Sequence, residues 1–95
     1  MPRIIVHGIS FFQEIMRARE IELEAKEGST VESLLAELDT RFDGRLSKHL
    51  YKEDGSLSNR VRIFLNGRDI HFLGRNALAL GDGDIILLLP VLAGG

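Results

Sequence analysis

Val31, Leu34, Leu35, Leu38 and Phe42 recur at i, i+3, i+4, i+7 and i+11, which draws one apolar stripe along a helix of about three turns. A helix with one apolar face must bury it. The rest of the chain reads mainly as strands and turns, so the surface on offer is a sheet. Gly28 breaks what precedes the helix, and Ser29-Thr30-Val31-Glu32 fits a capping box with Ser29 as the cap. The stripe ends near Asp43-Gly44.

The strands can be placed around that helix. Residues 3–12 are rich in β-branched and aromatic types (Ile4, Ile5, Val6, Ile9, Phe11, Phe12) and read as one strand. Residues 20–25 alternate strictly, with Glu20, Glu22 and Glu24 on one side and Ile21, Leu23 and Ala25 on the other. That pattern predicts a half-buried strand near a sheet edge. Gln13 to Arg19 reads as a hairpin connection with some helical character. Residues 43–60 are polar, but Leu46, Leu50 and Tyr51 among them suggest a short helical turn. Val61, Ile63 and Leu65 alternate with Arg62 and Phe64, and Asn66-Gly67 is a strong hairpin signal. Asp69 to Leu73 can form the return strand, and Asn76 to Leu80 a connecting turn. Gly81-Asp82-Gly83-Asp84 is a tight turn before the last strand, Ile85 to Leu89.

The order is β-β-α-β-β-β, an α+β domain over residues 1–90 with a flexible Gly-Gly tail at 91–95. Two antiparallel hairpins flank the helix. The last strand can run parallel to the first through the middle of a mixed sheet of four to five strands packed on one main helix. This is the β-grasp arrangement of ubiquitin-like proteins, and by itself it implies no function.

Composition removes several function classes. A net charge of −2 gives no electrostatic case for nucleic acid or an anionic membrane. There is no cysteine, hence no disulfide, thiolate metal site or cysteine nucleophile. The longest apolar run, Ile85 to Ala93, is far short of the roughly 20 residues of a membrane span. With no signal-peptide core at Met1–His7, the cytoplasm is the expected location. His7, His49 and His71 show no metal-ligand spacing, and no metal site is expected.

Two features point to a partner. Ile85-Ile86-Leu87-Leu88-Leu89 is apolar on both faces, yet one helix covers only one side of a sheet. The other face is then a docking surface, unless the 43–60 segment folds back over it. Phe64, out of phase with Val61, Ile63 and Leu65, is assigned to that face together with Ile86 and Leu88. A one-residue slip would exchange these for Ile85, Leu87 and Leu89. The second feature is Ala93-Gly94-Gly95. Glycine has no Cβ, so such a tail can thread a narrow channel and present an uncrowded α-carboxylate. Pro90 fixes φ, lacks an N–H, and is expected to stop the sheet ladder and release the tail. Val91 and Leu92 would then meet the partner near the channel mouth.

The chain resembles the small ubiquitin-like sulfur carriers of the molybdopterin synthase small-subunit group and their thiamine- and cysteine-pathway relatives. The resemblance spans nearly the whole chain. It rests on Phe11-Phe12, Arg19-Glu20, Gly28-Ser29-Thr30-Val31, Asn66-Gly67-Arg68-Asp69-Ile70, Leu80-Gly81-Asp82-Gly83-Asp84, Pro90 and Ala93-Gly94-Gly95. Val91 stands where the family often has a second proline, and the 43–60 segment is longer than in thiazole-pathway carriers. The resemblance implies that Gly95 is the reactive residue. An E1-like adenylating enzyme would activate it with ATP, and a persulfide or sulfide would then attack the acyl-adenylate to give a thiocarboxylate. The chain has no phosphate-binding loop, so ATP belongs to the partner and no cofactor is held stably here. The receiving partner would be a molybdopterin synthase large subunit or another sulfur acceptor, and a weak homodimer can form through the apolar face. The same chemistry also suits a tag joined to lysines.

Overall fold

The computed structural model describes residues 1–74 and 78–91. Five strands form one sheet: β1 (Arg3–Gly8), β2 (Glu20–Glu24), β3 (Val61–Leu65), β4 (Arg68–Asp69) and β5 (Ile85–Pro90). Their order across the sheet is β2-β1-β5-β3-β4. β5 lies parallel to β1, from Ile5↔Ile85 to Gly8↔Leu88, and antiparallel to β3, from Val61↔Pro90 to Leu65↔Ile86. The last strand therefore occupies the centre, as the alternation and the doubly apolar run predict. This is the ubiquitin-like β-grasp arrangement.

The register of β5 is pinned where the strand begins. Asp82 Oδ1 accepts from Arg3 N–H at 2.8 Å, and Gly83 N–H donates to the Arg3 carbonyl at 2.8 Å. On the other side, Asn66 Oδ1 accepts from Ile85 N–H (2.9 Å), while Asn66 N–H donates to the Ile85 carbonyl (2.8 Å). Asn66-Gly67 joins β3 to β4 as a two-residue turn with φ of 51° and 84°. Positive φ at both central positions is what a type I′ hairpin needs, and asparagine and glycine tolerate it best. One side chain thus serves both the hairpin and the central strand.

Helix α2 (Val31–Arg41) lies on one side of the sheet, with Val31, Leu34, Leu35 and Leu38 buried. Its cap is Thr30 rather than the expected Ser29. Ser33 N–H donates to Thr30 Oγ1 (3.2 Å) and Thr30 N–H to Ser33 Oγ (2.9 Å). Ser29 is committed elsewhere, since its carbonyl accepts from Leu80 N–H at 2.9 Å.

Two other expectations, the first strand and the return strand, need correction, while the short helical turn expected in the 43–60 segment is found. The first strand ends at Gly8, and Phe11–Met16 forms a short helix, α1. A Cβ on Gly8 would lie 2.7 Å from Met16 Cε and 3.1 Å from the Phe12 backbone, so α1 folds directly onto the strand end. Phe12 is buried by that packing, which overrides the strand preference of the Phe-Phe pair. The expected return strand at 69–73 keeps only β4. Asp69 Oδ1 accepts from His71 N–H (2.9 Å) and starts a 3-10 turn over Ile70–Phe72. The 43–60 segment carries helix α3 (Ser47–Leu50), anchored by Asp39, whose carboxylate accepts from Leu46 N–H (3.0 Å) and Ser47 N–H (2.8 Å). Leu46 and Leu50 are fully buried in the same core as α2. Part of the connecting turn expected at 76–80 lies outside the described residues. Among the described residues no helix is long and apolar enough to cross a membrane.

The register makes a prediction. Leu88→Ala should cost about 2–5 kcal/mol, because Leu88 is a fully buried core leucine. Leu89→Ala, one position along but on the opposite face, should cost markedly less. Urea unfolding at constant m-value checks this, and equal shifts in midpoint would refute the register.

Candidate docking face and tail exit

Residues opposite one another in neighbouring strands share a face. Phe64 pairs with Leu87 and Arg62 with Leu89, while Ile5 pairs with Ile85 and His7 with Leu87. The face away from α2 therefore carries Ile5, Phe64, Ile85, Leu87 and Leu89. All keep part of their surface in solvent, Ile85 as much as 41%. The 43–60 segment does not cover them, since its apolar residues go to the helix side.

Phe64 stands on the open face, as expected. Ile86 and Leu88 do not: both are 0% exposed and face α2. The one-residue alternative (Ile85, Leu87, Leu89) is the arrangement found. The strand's own residues could not decide this, because every position from 85 to 89 is apolar. The decision comes from the clamp of Asp82 and Asn66 at its start.

Charged groups border this apolar patch. On the β2 side, Arg3 lies 3.7 Å from Glu22, and His7 Nε2 lies 2.8 Å from Glu20 Oε1. On the β3 side, Arg62 lies 3.4 Å from Asp69. Such exposed pairs add little stability, about 0–1 kcal/mol each, but they fix where charge sits around the patch.

Pro90 is the last residue of β5, as expected, and its pair with Val61 is closed by the bond from Val91 N–H to the Arg60 carbonyl at 2.8 Å. The proline position matters on the other side of the strand. By the alternation of β5, the amide position of residue 90 faces Ile9, the residue at which β1 has ended. Ile9 N–H donates to the Leu88 carbonyl (3.0 Å), and the Ile9 carbonyl accepts instead from Phe12 N–H (3.3 Å). Pro90 thus leaves the β1 side without a donor where α1 begins. Val91 is half-buried against the start of β3. Leu92, Ala93, Gly94 and Gly95 lie outside the described residues, as does most of the expected 91–95 tail.

The remaining sites are modest. His49 stacks on Phe11, with ring centroids 4.3 Å apart, and His71 is exposed in the 3-10 turn. On the helix side, Val31, Leu35, Tyr51, Leu57, Ile70 and Leu78 line a hollow of about 260 Å³. Burial raises the Tyr51 phenol above its usual range, and the nearby carboxylates of Glu32 and Asp39 raise it further. Asp54 is held below the usual carboxylate range by the Ser56 hydroxyl and N–H.

Comparison with known proteins agrees with this geometry. A model described as the ThiS family matches residues 9–95. The chain is 32% identical over 84 residues to small archaeal modifier protein 3 of Haloferax volcanii, covering 88% of this chain and 89% of that one. It is 34% identical over 70 residues to the sulfur carrier protein CysO of Mycobacterium tuberculosis, covering 72% and 74%. It also superposes on a chain of the BexX/CysO complex of Amycolatopsis orientalis with a TM-score of 0.75 and 26% identity, covering 97% and 99%.

Tyr51 is the only tyrosine and there is no tryptophan, so its ionisation can be followed directly by phenolate absorbance. The titration midpoint should lie above the usual value of about 10. The raised value means that the folded state holds this proton more tightly than the unfolded chain. The corresponding stability is fully present below the unfolded value and is lost as pH rises through the folded one. Tyr51→Phe should remove that loss in alkaline unfolding curves, and an unchanged curve would contradict it.

Proposed function

The chain belongs to the ThiS family of ubiquitin-like sulfur carriers, and we propose that it carries sulfur as a thiocarboxylate on Gly95. The observation that supports this most is the uncovered apolar row of β5. Leu87 and Leu89 beside Phe64 form a docking face on the same strand that leads through Pro90 and Val91 to Ala93-Gly94-Gly95. A partner that binds the face receives the tail.

A carboxylate is a poor acyl donor because its oxygen leaves badly. An E1-like enzyme would join the Gly95 carboxylate to the α-phosphate of ATP, releasing pyrophosphate. Sulfide sulfur would then attack the acyl carbon and expel AMP, leaving the thiocarboxylate. This chain contributes the carboxyl group, the thin tail of Ala93 and Gly94, and the docking face. ATP and the catalytic groups come from the partner. The acceptor proposed from the sequence resemblance is a molybdopterin synthase large subunit. The likeness to CysO supports a cysteine-type acceptor by the same chemistry. The likeness to an archaeal modifier supports a second reading, in which a lysine amine takes the place of sulfide and an isopeptide forms.

Incubation with the adenylating enzyme of the same organism, ATP and sulfide, followed by intact mass, tests the proposal. The expected gain corresponds to one oxygen exchanged for sulfur, and deletion of Gly95 should abolish it. Conjugates of higher mass would favour the modifier reading, and no change at Gly95 in any arm would sink both. Leu87→Asp should cut the rate of activation by about tenfold or more while the fold survives, because the carboxylate sits at the centre of the docking patch.

A further inference from the structure

The end of the molecule from which the tail leaves is ringed by positive charge. Three backbone bonds converge there. Gly8 N–H donates to the Arg19 carbonyl (2.9 Å), Ile9 N–H to the Leu88 carbonyl (3.0 Å), and Val91 N–H to the Arg60 carbonyl (2.8 Å). They set Arg19 on the β2 side of the strand end and Arg60 on the β3 side. The third side is closed by α1 and α3, where His49 rests on Phe11. Glu14, Ile15, Arg45, Lys48 and His49 line an open concavity of about 320 Å³ there.

Arg19, Arg45, Lys48 and Arg60 are all exposed, and Arg17 at the end of α1 adds a fifth cation. The four ion pairs among the described residues use none of them. Carboxylates stand among these cations: Glu14 lines the same concavity, Asp39 is engaged by the Leu46 and Ser47 N–H groups beside Arg45 and Lys48, and Glu20 is engaged by His7. Arg41 and Asp43, at the end of α2, are one cation and one anion and add no net charge. At the opposite end of β5, Asp82 and Asp84 accept from Arg3 and Gly81 N–H groups. A chain of net charge −2 therefore has its tail exit inside a basic collar. Clustered like charge raises the self-energy of the fold, and its field reaches about one Debye length, roughly 8–10 Å.

We propose that this collar is a recognition surface for a ring of carboxylates around the channel mouth of the enzyme that activates the tail. This rests on the sulfur-carrier reading above. The apolar face supplies contact area, and the collar orients the molecule so that the tail meets the channel. Arg45 and Lys48 come from the 43–60 segment, so that segment adds to partner recognition while its leucines complete the core.

The test compares two charge-reversed variants in the adenylation assay with the enzyme of the same organism. Arg45→Glu/Lys48→Glu should raise KM for the carrier about tenfold or more at low salt with kcat unchanged, and should flatten the salt dependence. Lys26→Glu/Arg68→Glu makes the same change in net charge at the far end of the sheet and should leave KM near that of the natural chain. Circular dichroism checks the fold. If the first variant misfolds, Arg19→Gln/Arg60→Gln should raise KM and flatten the salt dependence in the same sense. Unchanged KM in the collar variants, or an equal rise in both reversed pairs, would overturn the proposal while the carrier reading stands. No activation of the natural chain would bring down both.

Discussion

The structure hangs on the register of one strand. β5 is paired on both sides, parallel to β1 and antiparallel to β3, so an error of one residue would turn the core residues Ile86 and Leu88 toward solvent. Nothing in Ile85-Ile86-Leu87-Leu88-Leu89 prevents that slip. It is prevented at the strand's entrance, where Asp82 takes the Arg3 amide and Asn66 brackets the Ile85 backbone. Helix packing and the identity of the open face both follow from that clamp.

The two faces of β5 then divide the work. Ile86 and Leu88 meet α2, and Leu46 and Leu50 extend the same core. Leu87 and Leu89 join Phe64 on the open face. Leaving that face open forgoes burial that would stabilise the isolated domain by about 25 cal/mol per Å². That cost is consistent with a surface kept for a partner. The 43–60 segment could have supplied the missing cover. Instead, the Asp39 carboxylate holds the start of α3 on the helix side, where its leucines are buried and Arg45 and Lys48 lie beside Glu14 and Ile15 of α1.

Much of this was legible in the chain. The stripe Val31–Leu38 identified α2, Asn66-Gly67 the β3–β4 turn, and the doubly apolar run the central strand. Phe64 was placed on the open face because it is out of phase with Val61, Ile63 and Leu65. The misreadings share a cause, which is that a local signal was outbid by a distant contact. Phe11-Phe12 looks like strand, but α1 closes over Gly8. Ser29 has the chemistry of a cap, but its carbonyl is taken by Leu80. The clustering of Arg19, Arg45, Lys48 and Arg60 had no signal in the chain, since they come from three separate segments.

The sequence by itself determined the main helix, the β-grasp order of the strands and the apolar character of the last strand. These depend on periodicity and on turn residues, which act over a few neighbouring positions. Only the tertiary structure decided which side of β5 faces outward, where the 43–60 segment packs and which charges surround the tail exit. Each of those depends on hydrogen bonds or packing between residues far apart in the chain, and no local pattern encodes them.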